Sequence, residues 1–242
     1  MRLCVVSYNI HKCVGGIDRR YNPDRVCETI AHYQPDIALL QEVAQGKRFR
    51  GDVQVDRLAE TLGFRHRVSW INVRRKSGDY GNAVLSRFPV IDHENINITV
   101  GPNIKRSVLH ARLKVTSPQS HSRVLHVFNL HLGLSELERR IQLNRFVACK
   151  PFAGLPHRAP IFVGGDFNDL WGRLRTKLEP FGFRAMKRPI RTFPAFAPLR
   201  PLDSIYVRGD LELESVQSSR LQVARQASDH LPLIAHVNLT GL

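Results

Sequence analysis

The chain has 242 residues, of which 43% are hydrophobic, 24% charged and 8% aromatic. That composition excludes wholesale disorder, and no apolar run reaches the ~20 residues a membrane-spanning helix needs. Lys and Arg number 36 against 21 Asp and Glu, and the net charge of +15 predicts a polyanionic partner. The length favours one layered domain over residues 1–242. The apolar opening is too short for a signal peptide and has no small-residue cleavage site behind it, so a cytoplasmic location is expected. Cys4, Cys13, Cys27 and Cys149 form no Cys-x-x-Cys pair and no zinc spacing, and read as reduced and structural.

Leu3 to Tyr8 reads as a buried strand. Asn22-Pro23 then looks like an N-cap followed by proline at the first helical position, with Val26, Ile30 and Tyr33 at helical spacing up to Pro35. Ile37 to Leu40 is the next strand, and Val55, Leu58, Ala59 and Leu62 line a helix ended by Gly63. Strands dominate from Phe64 to Val115: Arg65–Ile71, Asn82–Ser86, Val90–Ile98 and Val108–Val115. A second strand–helix–strand pattern follows. Val124–Leu130 is a strand, Ser135 and Glu138 form a capping box opening a helix to about Cys149, and Ile161–Gly164 is a strand. Leu170–Leu178 reads as helical, and Ser204–Val207 and Leu231–Val237 as strands. Two packed sheets with helices outside is the layered arrangement this pattern predicts.

The strands end in polar or acidic residues. Asn9 and His11 follow the first, Gln41-Glu42 the second; Asn129-Leu130-His131, Asp166-Phe167-Asn168, Asp203 and Ser228-Asp229-His230 come later. Carboxylates beside apolar strands are costly to bury unless paired or bound to a cation, so these ends are expected to converge on one pocket. Asn, Glu and Asp are hard oxygen ligands suited to Mg²⁺ or Mn²⁺. His, Asp and Asn are what phosphoryl transfer uses to orient water and stabilise developing negative charge. No Gly-x-Ser-x-Gly elbow, P-loop or dinucleotide fingerprint is present. The chemistry alone predicts a metal-dependent hydrolase.

Seven segments in order carry a resemblance across nearly the whole chain. They are Ser-Tyr-Asn-Ile-His at 7–11, Leu-Gln-Glu-Val at 40–43, Gly-Asn-Ala-Val-Leu-Ser-Arg-Phe-Pro at 81–89, Asn-Leu-His-Leu at 129–132, Gly-Asp-Phe-Asn at 165–168, Leu-Asp-Ser-Ile at 202–205 and Ser-Asp-His-Leu-Pro at 228–232. The set resembles the endonuclease/exonuclease/phosphatase superfamily of DNase I-like, metal-dependent phosphohydrolases, and is nearest to its compact bacterial branch. The resemblance implies an α/β class, four-layer α/β/β/α sandwich with two mixed β-sheets packed face to face and helices outside. It implies Glu42 as the principal Mg²⁺ ligand (Mn²⁺ as the alternative), with Asn9 and Asp229 close to the ion. Asp166 would orient or deprotonate the attacking water, and Asn168 would donate to the phosphate. His230 would contact the scissile phosphate with Asp203 on its other ring nitrogen, and His131 would add a donor. Either Asp166 or His230 is the base. Arg106 and Asn82 are the candidate substrate contacts, although Asn82 and Arg87 also read as a core strand and its turn. Tyr8-Asn9-Ile10-His11-Lys12 departs from the Trp-Asn motif of apurinic endonucleases, so abasic-site specificity is not implied.

Basic clusters at Lys47-Arg48-Arg50, Arg74-Arg75-Lys76, Lys105-Arg106 and Arg184 through Arg191 lie between the motifs. They favour a nucleic-acid phosphodiesterase, an endonuclease in the broad sense. The alternative is a phospholipid or phosphoinositide phosphodiesterase or phosphatase acting at an anionic membrane surface, with Trp171, Phe193 and Phe196 as stacking faces or lipid contacts. A non-catalytic polyanion-binding module is the third reading.

Overall fold

The computed structural model describes residues 1–46, 49, 51, 53–76 and 78–241; Lys47, Arg48 and Arg50 of the first basic cluster lie outside them. In chain order the strands are β1 (Arg2–Asn9), β2 (Ile37–Gln45), β3 (His66–Val73), β4 (Asp79–Ser86), β5 (Val90–Asn97), β6 (Ser107–Thr116), β7 (Ser122–His131), β8 (Ile161–Asp166), β9 (Asp203–Arg208), β10 (Leu211–Ser218) and β11 (Leu233–Leu239). The helices are α1 (Pro23–Tyr33), α2 (Gln54–Leu62), α3 (Glu136–Ala148) and the short α4 (Lys150–Ala153), α5 (Arg175–Leu178) and α6 (Gln222–Ala227).

The strands form two mixed sheets, ordered β10-β11-β1-β2-β4-β3 and β5-β6-β7-β8-β9. Each contains one parallel pair, β1 with β2 and β7 with β8, among antiparallel neighbours. A parallel pair needs a crossover, and α1 and α3 supply the two. Their ends are set locally. The Asn22 side chain accepts the Asp24 and Arg25 amides ahead of Pro23, and Ser135 Oγ accepts the Glu138 amide. Gly63 closes α2 in the left-handed conformation at φ +69°.

Alternation along the strands separates three apolar layers. Leu3, Val5, Leu39, Val84, Leu109, Val127, Phe162 and Val237 fill the space between the sheets. Val6, Tyr8, Leu40 and Leu85 face outward, against Val26 and Ile30 of α1 and Leu58 of α2. Phe128, Val163 and Tyr206 face the other way, against Leu143 and Phe146 of α3 and Phe152 of α4. The result is the four-layer sandwich that the resemblance implied.

The differences from the sequence reading are local. The expected helix over Leu170–Leu178 is confined to Arg175–Leu178. Asp169 diverts the preceding segment into a turn: its carbonyl accepts the Gly172 amide and its carboxylate accepts the Leu174 amide at 2.7 Å. β10 was not foreseen, although Leu211, Leu213 and the intervening Glu212 alternate. α6, at six residues, is too short to show a helical period.

On the outer face of the second sheet, His110 Nδ1 lies 3.1 Å from Glu94, and His110 Nε2 lies 3.1 Å from His126 Nδ1. Burial pushes both imidazoles down, His126 to about 4 with His110 and Arg112 adding to the effect. An unfolded imidazole keeps its ordinary value of 6.5. The unfolded chain therefore binds more protons between these values, and the stability this pair contributes above 6.5 is lost as the pH falls to about 4. Urea midpoints taken across that window should fall more steeply for the wild type than for His126→Gln, which keeps a donor but cannot titrate.

A candidate active site at the sheet ends

The C-terminal ends of both parallel pairs open at the same edge of the sandwich. Asn9 and Glu42 come from β1 and β2, His131 and Asp166 from β7 and β8, and Asp203 starts β9 directly opposite Asp166. Ser228-Asp229-His230 reaches them from the segment before β11, tied to β1 by Ser228 Oγ donating to the Asn9 carbonyl at 2.7 Å.

Asp166 is central and buried. Its Oδ2 accepts from Asn9 Nδ2 at 2.9 Å, and its Oδ1 accepts the Asn168 amide at 2.9 Å. His131 Nε2 lies 3.5 Å and His230 Nε2 3.8 Å from the same Oδ2. Burial, with the Asp203 charge, raises the Asp166 carboxyl to about 6, against the lowering effect of His230 and the two hydrogen bonds. His230 Nδ1 is 2.8 Å from Asp203 Oδ2, which also accepts from Thr192 Oγ1 at 2.5 Å. Burial opposes protonation of His230, but Asp203 and Asp166 outweigh it and raise the imidazole to about 10. His131 goes the other way. Burial, reinforced by Arg106, His230 and Lys12, holds it neutral. At neutral pH the cluster thus carries a charged His230 and a neutral His131 beside the Asp166 carboxyl, with Asp203 on the far side of the His230 ring.

The other half of the site is built from left-handed backbone. A bulge between Leu40 and Val43 leaves Glu42 at φ +55°, and His11, Lys12 and Cys13 follow one another at φ +44°, +60° and +57°. Such conformations persist where their surroundings hold them, and they concentrate at functional sites. The turn places the Lys12 ammonium on Glu42 Oε2 and 4.5 Å from the centre of the Tyr80 ring. Asp229 lies 3.7 Å from His11 Nδ1, and Asn9 Oδ1 accepts the His11 amide at 3.0 Å. Gly16 packs so closely on this segment that a Cβ there would lie 2.8 Å from Asp229 Cα.

The remaining sequence candidates divide. Asn168 is buried at the site and donates to the Leu132 carbonyl at 2.9 Å. Arg106 is buried with its Nε unpartnered, close enough to act on His131. Asn82 sits beneath the site, 1% exposed, and donates to the Asn129 carbonyl at 3.4 Å. That position matches the core-strand reading of its motif. Sequence reasoning missed Lys12 and Thr192. Lys12 stood in view in the first motif, while Thr192 had no local signal.

Ligand atoms of Asp166, Asp203 and His230 lie within 4.8 Å of one another. Elsewhere at this edge, the carboxylates of Glu42 and Asp229 and the amide oxygen of Asn9 are hard donors of the kind a divalent ion takes. The Lys12 ammonium on Glu42 Oε2 marks that carboxylate as a cation acceptor, and its hard oxygens fit a hard metal ion.

A family model described as the Endonuclease/Exonuclease/phosphatase family matches residues 6–230. The chain belongs to the endonuclease/exonuclease/phosphatase family. It is similar to the uncharacterized protein YbhP of Escherichia coli K12, at 32% identity over 250 residues covering 97% of this chain and 96% of the relative. Among solved structures, an endonuclease/exonuclease/phosphatase from Beutenbergia cavernae has a TM-score of 0.82 at 21% identity, covering 99% of this chain and 72% of that one. ANGEL2, a 2′,3′-cyclic phosphatase solved with adenosine-2′,3′-vanadate, has a TM-score of 0.74 at 15% identity, covering 99% and 96%. Members of this family are divalent-metal-dependent phosphoester hydrolases, and this chain carries the family's DNase I-like fold.

Thr192 has a testable structural effect. Thr192→Val removes a buried donor to a carboxylate and should cost about 1.5–3 kcal/mol in urea unfolding. Thr192→Ser should recover most of that loss.

Proposed function

We propose that this chain is a Mg²⁺-dependent phosphodiester hydrolase that cleaves by in-line attack of water. The observation that carries this reading is the buried array in which Asp166, bonded to Asn9 at 2.9 Å, lies 3.8 Å from His230 Nε2 while His230 Nδ1 is 2.8 Å from Asp203. Two titrating groups driven to opposite states beside one another divide into base and acid. Asp166 is then the base. Water gives its oxygen to phosphorus and a proton to Asp166; the P–O ester bond opposite breaks, and the leaving oxygen takes the proton from His230 Nε2. The 3.8 Å between His230 Nε2 and Asp166 Oδ2 is too long for a direct hydrogen bond. Neutral His131 and the Asn168 amide group donate to the phosphoryl oxygens, and Arg106 supplies a fixed positive charge beside them.

Glu42, Asn9 and Asp229 would hold the metal, which when bound neutralises charge on the phosphoryl oxygens. Lys12 is the counter-ion of Glu42 and would compete with a metal for that carboxylate. The ANGEL2 likeness supports a phosphodiester preference, since a 2′,3′-cyclic phosphate is itself a diester.

Turnover of an aryl phosphodiester should require Mg²⁺ or Mn²⁺, stop in EDTA, exceed that of the aryl monoester, and fall about 10²–10³-fold in His230→Ala. A monoester preference, or turnover undiminished in EDTA, would overturn the reading. Lys12→Gln should tighten Mn²⁺ binding about fivefold by calorimetry, because the competing cation is gone. Unchanged or weaker binding would remove Lys12 from this role.

A further inference from the structure

Among the described residues, six large apolar side chains are more than half exposed: Ile17, Leu134, Leu137, Trp171, Phe196 and Leu199. All six belong to segments that leave or enter the sheets at the active-site edge. Ile17 follows β1, Leu134 and Leu137 follow β7, Trp171 follows β8, and Phe196 and Leu199 precede β9. Scattered exposed apolar residues are ordinary, but confinement of the most exposed to one edge marks an interaction surface.

These segments touch. The Arg200 guanidinium lies 4.5 Å from the Trp171 ring centre, which joins the loop after β8 to the one before β9. Asn168 bonds to the Leu132 carbonyl, joining the loops after β7 and β8. Arg145 of α3 donates to the Thr99 carbonyl in the β5–β6 loop, which also carries Lys105. Phe193 packs its ring 5.1 Å from that of His230, so the apolar segment runs into the site itself.

Cations are interleaved with the apolar residues. From Lys187 to Arg200 the chain has Lys187, Arg188, Arg191 and Arg200 and no acid. A nucleic acid would use the cations and stack on Trp171 and Phe196, but Ile17, Leu134, Leu137 and Leu199 offer no stacking face. Aliphatic side chains ringed by Arg and Lys, with a Trp under an Arg, suit the boundary between anionic headgroups and acyl chains.

We propose that the rim of the active site docks on the surface of an anionic phospholipid bilayer, bringing headgroup phosphodiesters to the site. The docking surface stands on the rim alone; the hydrolysis of headgroups rests on the function proposed above.

The test uses the full chain with Trp70→Phe, which leaves Trp171 as the one indole of the two in the sequence. Phosphatidylglycerol vesicles should float the protein and shift Trp171 emission to the blue, while phosphatidylcholine vesicles and duplex DNA should leave the emission unshifted. Leu137→Asp with Leu199→Asp should weaken flotation by about tenfold or more, with turnover of the soluble aryl diester unchanged. Absence of flotation at low salt, flotation unaltered by the two aspartates, a blue shift with DNA but not vesicles, or a dimer that the aspartates dissociate would each overturn the proposal. Flotation without any aryl-diester turnover would leave the docking surface standing and remove the hydrolase reading.

Discussion

One buried amide decides how the two halves of the site meet. Asn129, on β7 of the second sheet, donates through Nδ2 to the carbonyls of Leu40 and Ala83 in the first, at 2.9 and 2.8 Å, and accepts from Gln41 Nε2 at 2.8 Å. Leu40 is the last paired residue before the bulge that turns Glu42 into its left-handed conformation. The same irregularity that aims Glu42 toward Lys12 also presents the carbonyl that Asn129 binds. His131 stands two residues beyond Asn129 and Glu42 one beyond Gln41, so the spacing between the oxygen-rich half and the Asp166 half is set by this bridge. Apolar packing between sheets is tolerant of small slides; a hydrogen-bonded polar bridge in a dry interior is not, because breaking its bonds leaves further buried groups without partners.

Burial then does opposite things to neighbouring groups. Asp166, His131 and His230 are all buried, and desolvation alone would neutralise all three. His131 follows that rule. His230 breaks it, because Asp203, steadied by Thr192, gives its charge a partner at 2.8 Å. Asp166 is left between, with hydrogen bonds from Asn9 and Asn168 pulling against burial. The opposite states of His230 and His131 and the raised Asp166 carboxyl thus depend on the groups around them: Thr192 lies one contact behind His230, through Asp203, and Asn9 bonds Asp166 directly.

Layer order, strand and helix types and the convergence of polar strand ends were legible in the sequence, because each rests on local signals. Apolar, β-rich runs marked β1, β2 and β6 to β8, and the caps at Asn22 and Ser135 marked α1 and α3. Failures came where side-chain bonds to the backbone and strained turns overrode the apolar pattern. The apolar residues from Leu170 to Leu178 read as a helix, but Asp169 binds the Leu174 amide and holds most of that segment in a turn. Three non-glycine residues in succession with positive φ, His11 to Cys13, have no sequence signature.

For the active site, the sequence by itself determined the inventory: which carboxylates, amides and imidazoles stand at strand ends, and in what order. Their ionisation was beyond it. His131 and His230 are the same residue type at comparable strand ends, yet one is held neutral and the other charged. The difference is the presence of Asp203 beside one ring and the cations Arg106, Lys12 and His230 around the other. Only packing one sheet against the other brings those groups into range, since charge interactions depend on distance and burial. The exposed apolar rim has the same origin. Its residues are ordinary aliphatics and aromatics scattered from Ile17 to Leu199, and they share one edge because the two parallel strand pairs end there.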